Sequence, residues 1–258
     1  MTAFWSAWVV FSFECRRAVR LGPMVFAAAL ALFPAATLAL IQSQGARLEQ
    51  RGEFWALPVF ILVPEVVCLL GLLLWATPAI QAEVEGKTWT YLIVRPGGKV
   101  PVLLGKYAAA VVRAILTGLV ALAAALAVLH PAQGLARASA CFSALVVLSC
   151  LTYAALYLLL GVIFVRRAMT VAVAYIFLVE FLLGLAPAVV NRLTVQYYLR
   201  SLLVAWFTVT TAPVRVRAMI GTAPPWQYVL LLLGVTAALL TAAALVLRRR
   251  ELVSSSDS

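Results

Sequence analysis

Along this chain, long apolar runs alternate with short polar connections, and the runs have the length of membrane spans. A helix crossing the hydrocarbon core needs about 20 predominantly apolar residues. Six stretches meet that demand: 23–41, 55–80, 100–129, 135–165, 168–190 and 226–247. The third and fourth exceed one crossing and are expected to tilt or to run on into the interface. Ahead of them, residues 4–20 place Trp5, Trp8 and Phe11 before Arg16, Arg17 and Arg20. Aromatic anchors followed by a basic end predict a helix lying at the cytoplasmic interface.

The connection 191–225 breaks the rhythm, with four arginines, no acid and an apolar stretch at 201–214. Such a stretch is too short to cross, so a re-entrant or interfacial hairpin is expected, broken at Pro213 and again at Pro224 and Pro225. The predicted fold class is therefore an all-α membrane protein with six transmembrane helices, an N-terminal cytoplasmic interfacial helix and a re-entrant or interfacial hairpin before the last span. A single domain covers 1–258: interfacial helix 1–22, spans one to five within 23–190 with a polar segment at 81–99, external hairpin 191–225, sixth span 226–247 and cytoplasmic tail 248–258.

Composition agrees: the 258 residues are 65% hydrophobic and 11% charged, against roughly 45–50% and about 25% in soluble domains. The mean hydropathy is +1.06. A net charge of +11 could suggest nucleic acid, but the basic residues sit in twos and threes at the edges of apolar runs and act as topology signals, so no nucleic-acid partner is expected. With the N-terminus inside, Arg16, Arg17, Arg20, Lys87, Arg95, Lys99, Lys106, Arg113, Arg166, Arg167, Arg248, Arg249 and Arg250 fall on the inner side. The outer side receives Arg47, Arg51, Arg137, Arg192, Arg200, Arg215 and Arg217. Thirteen against seven predicts that both termini are cytoplasmic. The charges Arg16, Arg17 and Arg20 follow the first apolar stretch instead of preceding it, so no signal peptide is expected.

The most informative polar stretch follows the second span. Glu83 and Glu85 leave the membrane, the chain turns at Gly86, a short helix is expected over 88–94, and Pro96 opens a second turn before the third span, where Lys106 still lies near the headgroups. A short helix between two turns, tied at its ends to separate spans, can press on a soluble partner and pull on both; the alternative is a solvated loop whose charge serves solubility.

Taken in order, Glu83, Glu85, Gly86, Thr88, Leu92, Arg95, Pro96, Gly105 and Lys106 resemble the pattern after the second span in membrane subunits of the ABC-2 type transporter family. Lys87 departs from it by separating Gly86 from Thr88. The layout of the whole chain is similar too: interfacial helix, six spans, a long connection before the last span and a basic-acidic end at Arg248-Arg249-Arg250-Glu251. The resemblance implies a permease subunit in the bacterial inner membrane. Such subunits dimerise and bind a separate ABC ATPase, which holds ATP and Mg, while the permease itself binds no cofactor. It implies that residues 88–94, with Trp89, form a coupling helix seated in the ATPase, that Glu83 and Glu85 orient that helix or pair with the partner, and that 4–20 makes a second contact. No G-x-x-x-x-G-K-[ST] phosphate loop occurs in the chain.

Two acids lie at membrane depth, Glu65 after Pro64 and Glu180 in the fifth span. An acid at mid-span costs about 2.5–3.5 kcal/mol on insertion scales, so both are candidates for a translocation path or dimer seam. The alternative is a protonated carboxyl bonded to a neighbouring helix such as that of Tyr153 or Tyr157 for Glu180, and an external vestibule wetting Glu65. His130 before Pro131 is expected to mark only a helix end, and the four cysteines show no CxxC pair, so neither a metal site nor a disulfide framework is expected. The only aspartate is Asp257 in the tail, which leaves no nucleophilic triad and predicts no catalysis by the chain itself. ATP-driven export or lipid transfer between leaflets is the expected function. A non-transporting scaffold or immunity-type protein and an ion-coupled secondary transporter remain open alternatives.

Overall fold

The computed structural model describes residues 3–44, 55–86, 99–129, 135–182, 194–207 and 224–249, and among these every regular element is helical. In chain order they are α1 (Ala3–Ala18), α2 (Leu21–Ser43), α3 (Ala56–Glu85), α4 (Lys99–Leu129), α5 (Leu135–Ile163), α6 (Ala168–Tyr175, continued as a π-helix over Ile176–Leu182), α7 (Val195–Phe207) and α8 (Pro225–Arg249). Five of them, α2, α3, α4, α5 and α8, are long and apolar enough to cross a membrane. The chain is thus an all-α, multi-pass membrane protein. Of the stretch 168–190, the described part ends at Leu182, and 183–190 lie outside the described residues.

Helices suit this solvent because each satisfies its own backbone, and the hydroxyls among them do the same. Thr37, Thr117, Thr152 and Thr236 each donate to the carbonyl four residues back, at Phe33, Arg113, Leu148 and Leu232. Between helices, shape decides. The central helix is α5: 67% of its most apolar window is buried, against 17% for α8. Phe142, Leu145, Tyr153 and Tyr157 of α5 are buried where it packs against α3, α4, α7 and α8. On the periphery, α2 exposes Phe26, Leu32 and Phe33, and α8 exposes Leu230, Leu231 and Leu233. Apolar faces of this extent are at home in lipid and a liability in water.

The helix α3 changes pitch along its length. Around Pro64, which has no N–H to give, Ile61–Val67 widens into a π-helix, and Ser149 of α5 donates to the Pro64 carbonyl at 3.0 Å. After Trp75 the chain bends at Ala76 and Thr77, then resumes from Pro78 to Glu85. At the bend α5 comes close: a Cβ on Gly161 would stand 2.5 Å from the Thr77 carbonyl oxygen.

Three boundaries differ from the sequence expectation. α3 runs to Glu85 rather than stopping near 80, its last turn held by Gln81 donating to Glu85 at 2.7 Å. In the connection before the last span, the described helix Val195–Phe207 begins ahead of the apolar stretch 201–214, of which 208–214 lie outside the described residues. Thr194 sets its start as an N-cap, accepting the Tyr197 N–H at 3.2 Å. At about 1.5 Å per residue its 13 described residues extend about 20 Å. Finally, Pro225 begins α8 as its first residue, where a missing N–H costs nothing. Pro213, His130 and the expected helix at 88–94 lie outside the described residues.

Candidate functional site

At the end of the bundle where α1 lies, three helices converge on one cation. Lys106 of α4 holds Glu14 of α1 at 2.6 Å and Glu83 of α3 at 2.8 Å. Its side chain is only 4% exposed. Lys106 is enclosed between two carboxylates. An ammonium is buried at a large desolvation cost unless it is paired and hydrogen-bonded, and here two of its three donors are used. Gly105 explains how α1 gets close enough: a Cβ there would meet the Ala7 carbonyl oxygen at 2.7 Å and Val10 Cβ at 2.8 Å. Adjacent residues on α4 therefore do two jobs, one admitting the α1 backbone and one gripping its acid.

Glu83 and Glu85 have different surroundings. Two helical residues apart is roughly 200° around the axis, so the side chains diverge. Glu83 is buried against Lys106, whereas Glu85 is exposed and bonds Gln81. Gly86 closes α3, with its N–H donating to the Ala82 carbonyl at 3.0 Å. Thr88, Trp89, Leu92, Arg95 and Pro96 lie outside the described residues.

A second polar cluster joins α3, α5, α6 and α7. Glu65, in the π-helical part of α3, accepts from Arg200 Nε of α7 at 2.8 Å, and Gln196, one turn earlier on α7, accepts from the same guanidinium at 3.1 Å. Glu180, in the π-helical continuation of α6, is buried, and the Tyr175 hydroxyl approaches it at 3.4 Å. The Tyr153 hydroxyl and the backbone N–H groups of Val195 and Gln196, at the start of α7, also face this carboxyl. Tyr153 and Tyr157 stack with centroids 6.0 Å apart beside it. The hydroxyls of Tyr153 and Tyr157 and the second Glu180 oxygen have no well-formed hydrogen bond among the described residues. Both intramembrane acids thus reach the same region, one through Arg200 and the other through a tyrosine cluster at the α7 N-terminus.

No protein-family model matches this chain, and no curated protein does. What the clusters can do chemically is read from their geometry. Cys15 lies beside Glu14, but burial, and then the neighbouring carboxylate, push its thiol above the ordinary value, the opposite of an activated nucleophile. Among the described residues no group of three or more His, Cys, Asp or Glu side chains could hold a metal ion. Both clusters are ion-pairing devices that join helices distant in sequence. Two of their charged members were not singled out from the sequence. Glu14 had a usable signal, being the only acid before Glu49. Arg200 had none, since one arginine among four in a connection looks like a topology charge.

Proposed function

We propose that this chain is the membrane subunit of an ABC-2 type transporter, driving export or transfer of lipid between leaflets when a separate ATPase, carrying ATP and Mg, binds and hydrolyses. The observation that supports this most is the Lys106 bridge. Residues 87–98 join the end of α3 to the start of α4. Glu83 lies just before that segment and Lys106 just after it, and their ion pair closes the loop at its base while Glu14 adds α1. A push on the segment then reaches three helices together. In this reading α6 continues through 190 as a sixth span, both termini are cytoplasmic in the bacterial inner membrane, and two such subunits pair.

The test is co-expression and purification with an ABC ATPase from the same genome, followed by ATP turnover of wild type, Lys106→Met, Glu83→Gln and a scrambled 88–94. We expect stable association in the wild type and turnover that the variants weaken or uncouple from transport. If no ABC ATPase associates, the assignment fails. A second reading, an ion-coupled transporter, is favoured by the Glu65–Arg200 pair with Glu180 close by; it requires transport without any ATPase and its loss in Glu180→Gln.

A further inference from the structure

A cavity of about 500 Å³ opens between α1, α2, the C-terminal part of α3 and α4. Met24, Leu74, Trp75 and Leu116 give it apolar walls, and Arg17 and Arg113 give it a basic rim. Arg113 is held in place: its guanidinium lies 4.2 Å from the centroid of the Trp75 ring and donates one N–H to the Pro23 carbonyl at 3.2 Å. The remaining N–H groups of its fork have no hydrogen bond among the described residues. Glu14 and Lys106 also line the cavity, but they are committed to each other and to Glu83. That trio carries one net negative charge, so the two arginines leave a positive surplus, to which exposed Arg16 and Arg20 add.

Depth identifies what the cavity meets. Pro23 stands in the first turn of α2, where that helix enters its apolar run. A guanidinium bonded to its carbonyl is therefore at headgroup level. Immediately beyond, Met24 and Leu116 are exposed on the outer surface, so the apolar wall continues into the lipid phase. We infer that this groove binds an anionic phospholipid of the leaflet in which α1 lies, its phosphate on Arg113 and Arg17 and the upper part of one acyl chain along Leu74 and Leu116. The volume lies within the range of about 300–1,000 Å³ common for ligand pockets. Bidentate recognition of phosphate by arginine supplies the preference for an anionic headgroup. A zwitterionic lipid brings an ammonium that the basic rim disfavours.

Trp75 is a built-in reporter. The purified chain would be placed in nanodiscs of phosphatidylcholine doped with brominated-acyl phosphatidylglycerol or with brominated-acyl phosphatidylcholine. Quenching of Trp75 is then read as the difference between wild type and Trp75→Phe. The glycerol lipid is expected to half-saturate at a mole fraction roughly tenfold lower than the choline lipid. Arg17→Gln, an exposed position that does not threaten the fold, should reduce that preference, and Arg17→Gln with Arg113→Gln should abolish it. Ala109→Leu fills the groove with all charges intact, and should remove Trp75 quenching by the glycerol lipid. Equal quenching by both lipids in the wild type, or a preference unchanged in the double variant, overturns the inference. Relief of quenching by millimolar glycerol phosphate would mark a free-phosphate site instead, and Trp75 protected from both lipids would mean that protein covers the groove; either result also overturns it.

Discussion

A lysine sealed between two glutamates is costly to disturb from one side. Replacing Lys106 by Met leaves Glu14 and Glu83 facing each other without their cation, and breaking a buried pair in this way costs about 3 kcal/mol or more. We expect Lys106→Met to lower the unfolding midpoint of the detergent-purified protein clearly, and Glu14→Gln/Lys106→Met/Glu83→Gln to recover most of the loss, because neutral groups can share the same space. If the triple variant is no more stable than the single one, the bridge is not a coupled unit. Arg200 and Glu65 present a milder case, since the Arg200 side chain is 41% exposed. Arg200→Gln strands a buried carboxylate, so Arg200→Gln/Glu65→Gln is expected to be the more stable of the two, with a coupling energy of about 1 kcal/mol in a double-mutant cycle. Legibility at this scale was uneven. That Glu83 and Lys106 carry weight could be read from their place around the polar segment, but that Glu83 and Glu85 part company follows from helical geometry once α3 is known to continue through both.

Elements meet where side chains are missing. Gly105 lets the α1 backbone lie against α4, and a larger residue there must push α1 away, since the nearest atom to an added Cβ is a backbone oxygen that cannot rotate aside. Gly105→Leu is therefore expected to loosen α1 and to speed maleimide labelling of half-buried Cys15 by about tenfold, the behaviour of a locally opened element. Unchanged labelling would mean that α1 is held by other contacts. Helix existence was readable from apolar run length for all five membrane-length helices. Helix ends were less readable, because a cap such as Thr194 acts through one hydroxyl bond, whereas hydropathy averages over a window and placed the start of the helix before the last span several residues late.

At the scale of the molecule, the number of crossings sets which side the ends occupy. Five membrane-length helices alone would leave α1 and the end of α8 on opposite sides of the bilayer. A sixth crossing through 168–190 brings them to the same side, as the count of basic residues predicts. Side-specific reporters fused before Ala3 and after Arg249 should give matching signals; opposite signals would remove the sixth span and with it the proposed permease layout. Apolar run length is enough to recognise a helical, multi-pass membrane protein and to locate its spans, because a bilayer imposes its thickness on any chain that crosses it. Which charges meet emerges from the packing of the helices. Glu14 finds Lys106 across 92 positions and Arg200 finds Glu65 across 135. Such pairings depend on which helices pack together and how closely, and in lipid that is settled by shape and small-residue contacts rather than by any local pattern.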